Sequence, residues 1–347
     1  MLPQFLPLDK STRNAKNKDS GGPIHLDDLD HMTTPIDVSR LTKRYDAVTA
    51  LSDVSFTVRS GEIMGFLGPN GAGKTTALRI LTGMLAPTEG AVRIDGMEVA
   101  RHGVEVRRRI GYLPEHVALY PEMRVREYLA YRAAIKGVPR RDRRARVDQS
   151  IERCALADVT RKLIGRLSKG YRQRVGLADC LVGTPKILIL DEPTVGLDPH
   201  QIRQTRALIT ELGRSATILL STHILPEVEM LCHRVMIIDK GRIVAVDTPA
   251  RLRQRLQGSP VLRVELRGNP ETIESALTQL PGVVRVNARE SSDGFAVFEV
   301  ETGTGADARE AIFRLAVERH WVLRELSAQR ASLEDVFIQL TTHEQTE

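Results

Sequence analysis

The chain has 347 residues, 41% of them hydrophobic, which suffices for one large domain and a smaller one around ordinary cores. Aromatic residues make up only 4%, which argues against an aromatic-rich platform for stacking bases. A formal charge of +6 favours an anionic surface without identifying one. Three cysteines, Cys154, Cys180 and Cys232, are odd in number and far apart in apolar helix-like sequence. They read as reduced core thiols of a cytosolic protein, and no CxxC or clustered His/Cys pattern suggests a metal. No apolar run reaches the roughly 18 residues that a membrane-spanning helix needs. The opening MLPQFLPL is too short and too broken by proline to be a secretory signal.

Residues 1–34 carry Pro, Lys, Asp and a Gly-Gly pair with no period of 2 or 3.6, the pattern of a flexible extension; Met32 is an alternative start. From Ile36 the runs IDVSRL, DVSFTV and EIMGFL predict short strands. GPNGAGKTTALRILTGM then predicts a loop running into a helix, and RIGYLPE a strand ending near Glu115. VREYLAYRAAIKG and VDQSIERCAL read as helices. KILILDEP is apolar throughout, as a strand buried on both faces must be. Helical sequence over 200–213 leads to the strand ATILLSTH, and HRVMIIDKG with RIVAVDT reads as a closing hairpin. Strands alternating with helices predict an α/β core with a parallel sheet.

Near Gly258 the pattern changes. VLRVEL, VVRVNA, FAVFEV and WVLREL read as strands, and ETIESALTQL and ADAREAIFRLAVERH as helices. The order β-α-β-β-α-β is that of a small ferredoxin-like α+β domain. A last helix over SLEDVFIQL is expected, with Ser332 and Asp335 as a capping box and Leu333, Val336, Phe337 and Leu340 as its apolar face. The domains are therefore read as 1–34, 35–257 and 258–347.

The chemistry begins at GPNGAGKT, Gly68 to Thr75, which fits G-x-x-x-x-G-K-[ST]. Glycines let backbone N–H groups curl around phosphate oxygens, and the following helix points its positive end at the same place. Lys74 is expected to reach the β- and γ-phosphates, and Thr75 to ligate Mg2+. The alternative is a Gly-rich turn with no ligand, which the strand before and the helix after disfavour. ILIL delivers Asp191 and Glu192 to the carboxyl edge of its strand, where open α/β sheets bind ligands. Asp191 is placed to hold Mg2+ and Glu192 to deprotonate an attacking water; a lone acidic pair would otherwise be a solvated strand end.

LSKGYRQR, Leu167 to Arg174, resembles the signature motif of ABC ATPases. Gly196-Leu197-Asp198 resembles the family's D-loop, and His223 its switch histidine. Five such motifs in the family's order span residues 36 to about 250. The resemblance implies a P-loop NTPase fold, an ABC ATPase domain with a helical subdomain at about 115–167, and hydrolysis of ATP with Mg2+. It implies a homodimer with ATP sandwiched between the Gly68–Thr76 loop (Gly68, Pro69, Asn70, Gly71, Ala72, Gly73, Lys74, Thr75 and Thr76) of one subunit and Ser168 to Gly170 of the other. His223 would contact the γ-phosphate, and Asp198 would communicate across the interface. Tyr45 stands where an aromatic stacks on adenine. Glu115 stands where the family carries glutamine; its oxygen can reach Mg2+ or water, but it adds negative charge beside the phosphates. Lys169 and Tyr171 depart from the signature while Gly170 keeps it.

The C-terminal part resembles the extension of ABC-2-type exporter ATPases, of the gliding-motility and drug-resistance kind. That implies a separate ABC-2 membrane permease as partner, no nucleic acid, and a cytoplasmic chain peripheral at the inner face of the cell membrane. Val117 to Arg126 is the expected permease-facing surface. The short interval from Lys74 to Ser168 leaves no room for the coiled coil of DNA-repair members, and a single motif set excludes the tandem ribosome-associated class. The run RRDRRAR, Arg140 to Arg146, is either a solvated helix start or a contact for anionic lipid headgroups or an acidic permease loop.

Overall fold

The computed structural model describes residues 34–256, 261–292, 294–303 and 307–329. The expected extension, all but its last residue, and the expected helix at Ser332 to Leu340 lie outside them. The N-terminal half runs β1 (Ile36–Tyr45), β2 (Val48–Val58), β3 (Ile63–Leu67), α1 (Lys74–Leu81), β4 (Glu89–Ile94), β5 (Met97–Glu98), α2 (Gly103–Arg109) and β6 (Ile110–Leu113). Helices α3 (Val125–Ile135), α4 (Arg143–Arg153) and α5 (Lys169–Val182) follow, then β7 (Ile187–Asp191), α6 (Pro199–Gly213) and β8 (Thr217–Thr222). The core closes with α7 (Leu225–Leu231), β9 (Arg234–Asp239), β10 (Arg242–Asp247) and α8 (Pro249–Leu256).

The central sheet has the order β10-β9-β3-β8-β7-β6, parallel except for the β9–β10 hairpin. Its middle strands are apolar throughout because each face has its own core. Along β3, Met64 and Phe66 enter one core while Ile63 and Leu67 enter the other. Along β7, Ile187 and Ile189 face the first and Leu188 and Leu190 the second. The side-chain period of 2 thus divides each strand between two layers. One layer is α1 and a four-stranded antiparallel sheet of order β2-β1-β4-β5; the other holds α3 to α7.

The sequence reading named the first two strands without assigning them to a sheet, and the structure places them in this second sheet. The reason lies in their composition. β1 and β2 alternate buried with exposed residues, which suits a sheet covered on one face, whereas β3 is buried at every position. Strands β4 and β5 and helix α2 carry short, strongly charged patterns that periodicity alone does not single out.

The C-terminal segment runs β11 (Val261–Arg267), α9 (Pro270–Thr278), β12 (Val283–Ser292), β13 (Phe295–Thr302), α10 (Arg309–Glu318) and β14 (Val322–Gln329). Its sheet has the order β12-β13-β11-β14 with every pair antiparallel, the ferredoxin-like arrangement. Asn269 caps α9 through Glu271 and Thr272 N–H, and Pro270 at the first helical position supplies a preset φ. Phe298, Val264, Ile273 and Ile312 fill the space between sheet and helices.

All three cysteines are buried and free, and burial pushes each thiol up to about 12, so they are neutral core groups. No helix among the described residues is long and apolar enough to cross a membrane.

Candidate functional site

Strands β3, β8 and β7 are adjacent and parallel, so their carboxyl ends bring Gly68, His223 and Asp191–Glu192 to one edge of the sheet. After β3 the chain turns through Gly68 to Gly73 and enters α1 at Lys74. Gly73 has φ 105°, and a Cβ there would lie 2.6 Å from the carbonyl oxygen of Ala50. Only glycine fits both the backbone angle and the space. The loop is clipped from below by the β9–β10 turn. Gly241 N–H donates to Ala72 O at 3.0 Å, and Ser52 N–H donates to Gly241 O at 2.9 Å.

The Lys74 ammonium is 6% exposed. It donates to Gly68 O at 2.7 Å and Pro69 O at 3.2 Å, and lies 3.7 Å from Glu192 Oε1. Burial pushes its pKa down, while Glu192 and Asp191 push back. Above it opens a cavity of about 400 Å3 whose lining includes Asn70, Thr75, Thr76, Glu115, Glu192 and His223.

Asp191 ends β7 fully buried. Ser221 Oγ donates to its Oδ1 at 2.7 Å, and its Oδ2 has no hydrogen-bond partner. Burial pushes the carboxyl above its ordinary range, opposed by Ser221 and the nearby Thr75 hydroxyl. Glu192 adopts φ 49°, a left-handed angle that costs a non-glycine residue about 1–3 kcal/mol. That turn swings its carboxylate away from the strand toward Lys74 and His223. His223 Nδ1 lies 3.0 Å from Glu192 Oε2, so the imidazole and the carboxyl group share a hydrogen bond.

Ser168 caps α5, its hydroxyl accepting from Tyr171 N–H at 3.4 Å, and Asp198 caps α6 by accepting from Gln201 N–H at 2.8 Å. The two caps belong to one packed unit. A side chain at Gly170 would collide with Gln201 of α6, and the Lys169 ammonium lies over Gly196. Ser168, Gly170 and Asp198 do not line the cavity above Lys74, nor does Tyr45, which is 45% exposed with the Lys43 ammonium 5.0 Å from its ring centre. The structure therefore brings the Gly68–Thr76 loop, Glu115, Asp191, Glu192 and His223 together. The signature segment and Gly196 to Asp198 stay outside that lining, although Val195, just before the D-loop, belongs to it.

Comparison with known proteins bears on this geometry. Residues 51–195 match the family described as ABC transporter, and residues 248–341 match the ATP-binding protein DrrA1-3-like C-terminal domain. The daunorubicin resistance ATP-binding protein DrrA3 of Streptomyces coeruleorubidus is 34% identical over 309 residues, covering 89% of this chain and 96% of that protein. The chain belongs to the ABC transporter ATP-binding proteins. The Nod factor export ATP-binding protein I of Burkholderia thailandensis is 40% identical, over 66% of this chain and 76% of its own length. Among solved structures, an ATP-binding subunit of an ABC transporter superposes with TM-score 0.60 at 33% identity, covering 64% of this chain and 93% of its own. A dimeric ATP-binding cassette in a post-hydrolysis state, bound to ADP and Pi, superposes at 0.58 with 25% identity, over 61% of this chain and 98% of its own. This ABC protein is thus an ATPase that drives transport through a separate membrane permease.

Several residues that shape this ABC site were not singled out by the sequence. Ser221 holds Asp191 from the neighbouring strand, and only the register Asp191↔Ser221 makes it visible. Glu227 of α7 is fully buried; it accepts from Thr222 Oγ1 at 3.1 Å and from the Arg206 guanidinium of α6 at 3.1 and 3.3 Å. Thr222 in turn accepts from Ile224 N–H at 3.0 Å, so the turn carrying His223 is fastened to α6. Gln173 Nε2 reaches Pro193 O at 3.3 Å, and Thr194 keeps a buried hydroxyl without a partner.

Two outcomes follow for stability. Asp191→Asn raises the melting temperature of the nucleotide-free, metal-free protein at neutral pH. A raised carboxyl pKa means that ionisation opposes folding, so the gain shrinks as pH falls and Asp191 takes up its proton; scanning calorimetry across pH reads this out. Glu227→Ala, which leaves the partly buried Arg206 guanidinium and the buried Thr222 hydroxyl without their acceptor, lowers unfolding free energy by about 1–3 kcal/mol in denaturant titration.

Proposed function

We propose that this chain binds ATP with Mg2+ above the Gly68–Thr76 loop and hydrolyses it as the motor of an ABC-2-type exporter. The observation that carries the reading is the line Lys74–Glu192–His223 at the head of the loop, with Glu192 between an ammonium at 3.7 Å and an imidazole at 3.0 Å. Such an arrangement aims a carboxylate at the place where a phosphate sits over the loop.

The roles then follow from chemistry. Backbone N–H groups of Gly68, Asn70, Gly71, Ala72 and Gly73 with Thr76 cradle the phosphates, and Pro69, which has no N–H, shapes the turn. Lys74 exchanges its bonds to Gly68 O and Pro69 O for phosphate oxygens. Thr75 and Asp191 would hold Mg2+. The unpartnered buried Oδ2 of Asp191 fits a cation or one of its waters. When bound, the ion neutralises charge that builds on the phosphate oxygens. Glu192 takes the proton of the attacking water, and His223 orients it and meets the γ-phosphate. Glu115, at the cavity wall, reaches the ion or its water. Tyr45, standing outside the described lining, stacks on adenine at the open end.

Ser168 and Gly170 complete the partner's site in a homodimer that sandwiches ATP, and Asp198 signals across it. ATP favours the closed dimer and its hydrolysis releases it. The shared packing of α5 and the start of α6 supports this, since it joins Ser168 to Gly170 with the D-loop in one unit outside the lining of the protomer's own cavity. The domains are taken as 1–34, 35–257 with helices at 115–167, and 258–347. The chain acts at the inner face of the cell membrane on its ABC-2 permease and does not engage nucleic acid. The names of the relatives, concerned with drug resistance and export, support the direction of transport.

Glu192→Gln keeps ATP binding, lowers hydrolysis by roughly 10²–10⁴-fold and traps the dimer, read by phosphate release and size-exclusion chromatography. Wild-type turnover would remove Glu192 from the role of base. Lys74→Ala weakens ATP binding in a fluorescent-nucleotide titration, and unchanged affinity would overturn the phosphate-loop assignment.

A further inference from the structure

The arginine run before α4 does not form an even solvated face. Arg140, Arg143 and Arg144 line a concavity of about 710 Å3 together with Arg126 of α3 and Arg161, which follows α4. Ala130 and Val147 also line it. Five guanidinium groups thus converge from three separate stretches of chain. It shares no lining residue with the nucleotide cavity.

The charge there is poorly balanced. Asp148 is the one carboxylate in the lining; Arg126 engages it, and Arg144 Nε lies 4.0 Å away. Arg143 donates its Nε–H to Val138 O at 2.8 Å, which fixes the stem and leaves the terminal nitrogens of the guanidinium to face other groups. Arg161 is steadied through its own carbonyl, which accepts from Arg124. Among the described residues neither Arg140 nor Arg161 has an ion-pair partner. Asp142, at the N-cap of α4, makes no side-chain cap hydrogen bond and pairs with Arg141 at 3.7 Å, so it offsets Arg141 and is not among the groups that line the concavity. Like charges gathered in a concavity focus a positive potential and repel one another until an anion enters.

We propose that this concavity binds the phosphate of an anionic membrane-lipid headgroup. Guanidinium forks match phosphate oxygens two at a time, which a set of lysines would not do. Openness favours a headgroup over a free metabolite. The Arg144 side chain is 93% exposed and that of Arg126 48%, so among the described residues the bowl stays open to one side and admits a headgroup whose tails stay in the bilayer. A chain that works on a membrane permease has a bilayer within reach, and the basic bowl would set its orientation there.

The test uses the purified full chain and vesicle co-sedimentation. Phosphatidylcholine vesicles containing phosphatidylglycerol are compared with phosphatidylcholine alone, and inorganic phosphate is titrated calorimetrically without vesicles. The wild-type chain is expected to prefer the phosphatidylglycerol vesicles. R140E/R161E is expected to lose roughly 30-fold or more of that binding while keeping wild-type ATP hydrolysis, which certifies its fold. The control R108E/R319E makes the same change in net charge at exposed arginines elsewhere and is expected to bind the vesicles much as wild type does. Equal loss in the control would reduce the effect to net charge and overturn the site. Phosphate binding that R140E/R161E abolishes, with no preference for phosphatidylglycerol, would assign the bowl to a soluble anion and overturn the lipid. Unchanged vesicle binding in R140E/R161E would overturn both.

Discussion

Lys74 stands opposite Asp191 and Glu192 at the dry end of an apolar sheet, and the rest of the molecule is arranged to keep that opposition in place. Burial disfavours the charged form of Lys74 and that of Asp191. Each nevertheless favours the charge of the other, so the two ends of the site stabilise one another across the gap where phosphate would lie. The positions are fixed by strands rather than loops: β3 supplies the lysine's loop, β7 the acids, and β8 between them supplies Ser221 and the turn to His223. Three parallel strands in fixed register define distances that a flexible connection would not hold.

The layers explain why this edge is stiff. Every middle strand is divided between two cores, so no face of the sheet is open to water. The antiparallel sheet reaches across to the phosphate loop through Ala50, and the β9–β10 turn reaches it through Gly241. Two elements remote in sequence therefore close around six residues of loop. On the other side, Glu227 and Arg206 tie the turn after β8 to α6.

Local pattern made the apolar strands, the phosphate loop, the closing hairpin and the C-terminal β-α-β-β-α-β order legible, because each is specified by neighbours within a few residues. KILILD could only be a strand covered on both faces, and β7 is one. The same pattern could not assign β1 and β2 to their own sheet, since alternation reports that one face is covered without saying by what. It also could not pair Ser221 with Asp191, Glu227 with Arg206, or Gly170 with Gln201. Those contacts depend on register and helix packing that bring distant residues together. The arginine run was plain in the sequence, but Arg126 and Arg161 join it only through the packing of the helical layer. Among the candidate site residues, the sequence located the loop and the two acids by motif, while the left-handed turn at Glu192 has no sequence signal beyond its position after the strand.

That turn has a wider consequence. Glu192 occupies a backbone region that glycine would enter at far lower cost, and Asp191 beside it keeps a buried oxygen unmatched. A nucleotide seated over the loop would add contacts beside that strained turn, so it would act on the fold as well as in the reaction. Thermodynamic linkage then makes the folded state firmer wherever ATP is plentiful, by an amount set by concentration over dissociation constant. The conformational durability of this ATPase is therefore partly a property of the solution around it, and it rises and falls with the supply of the molecule it consumes.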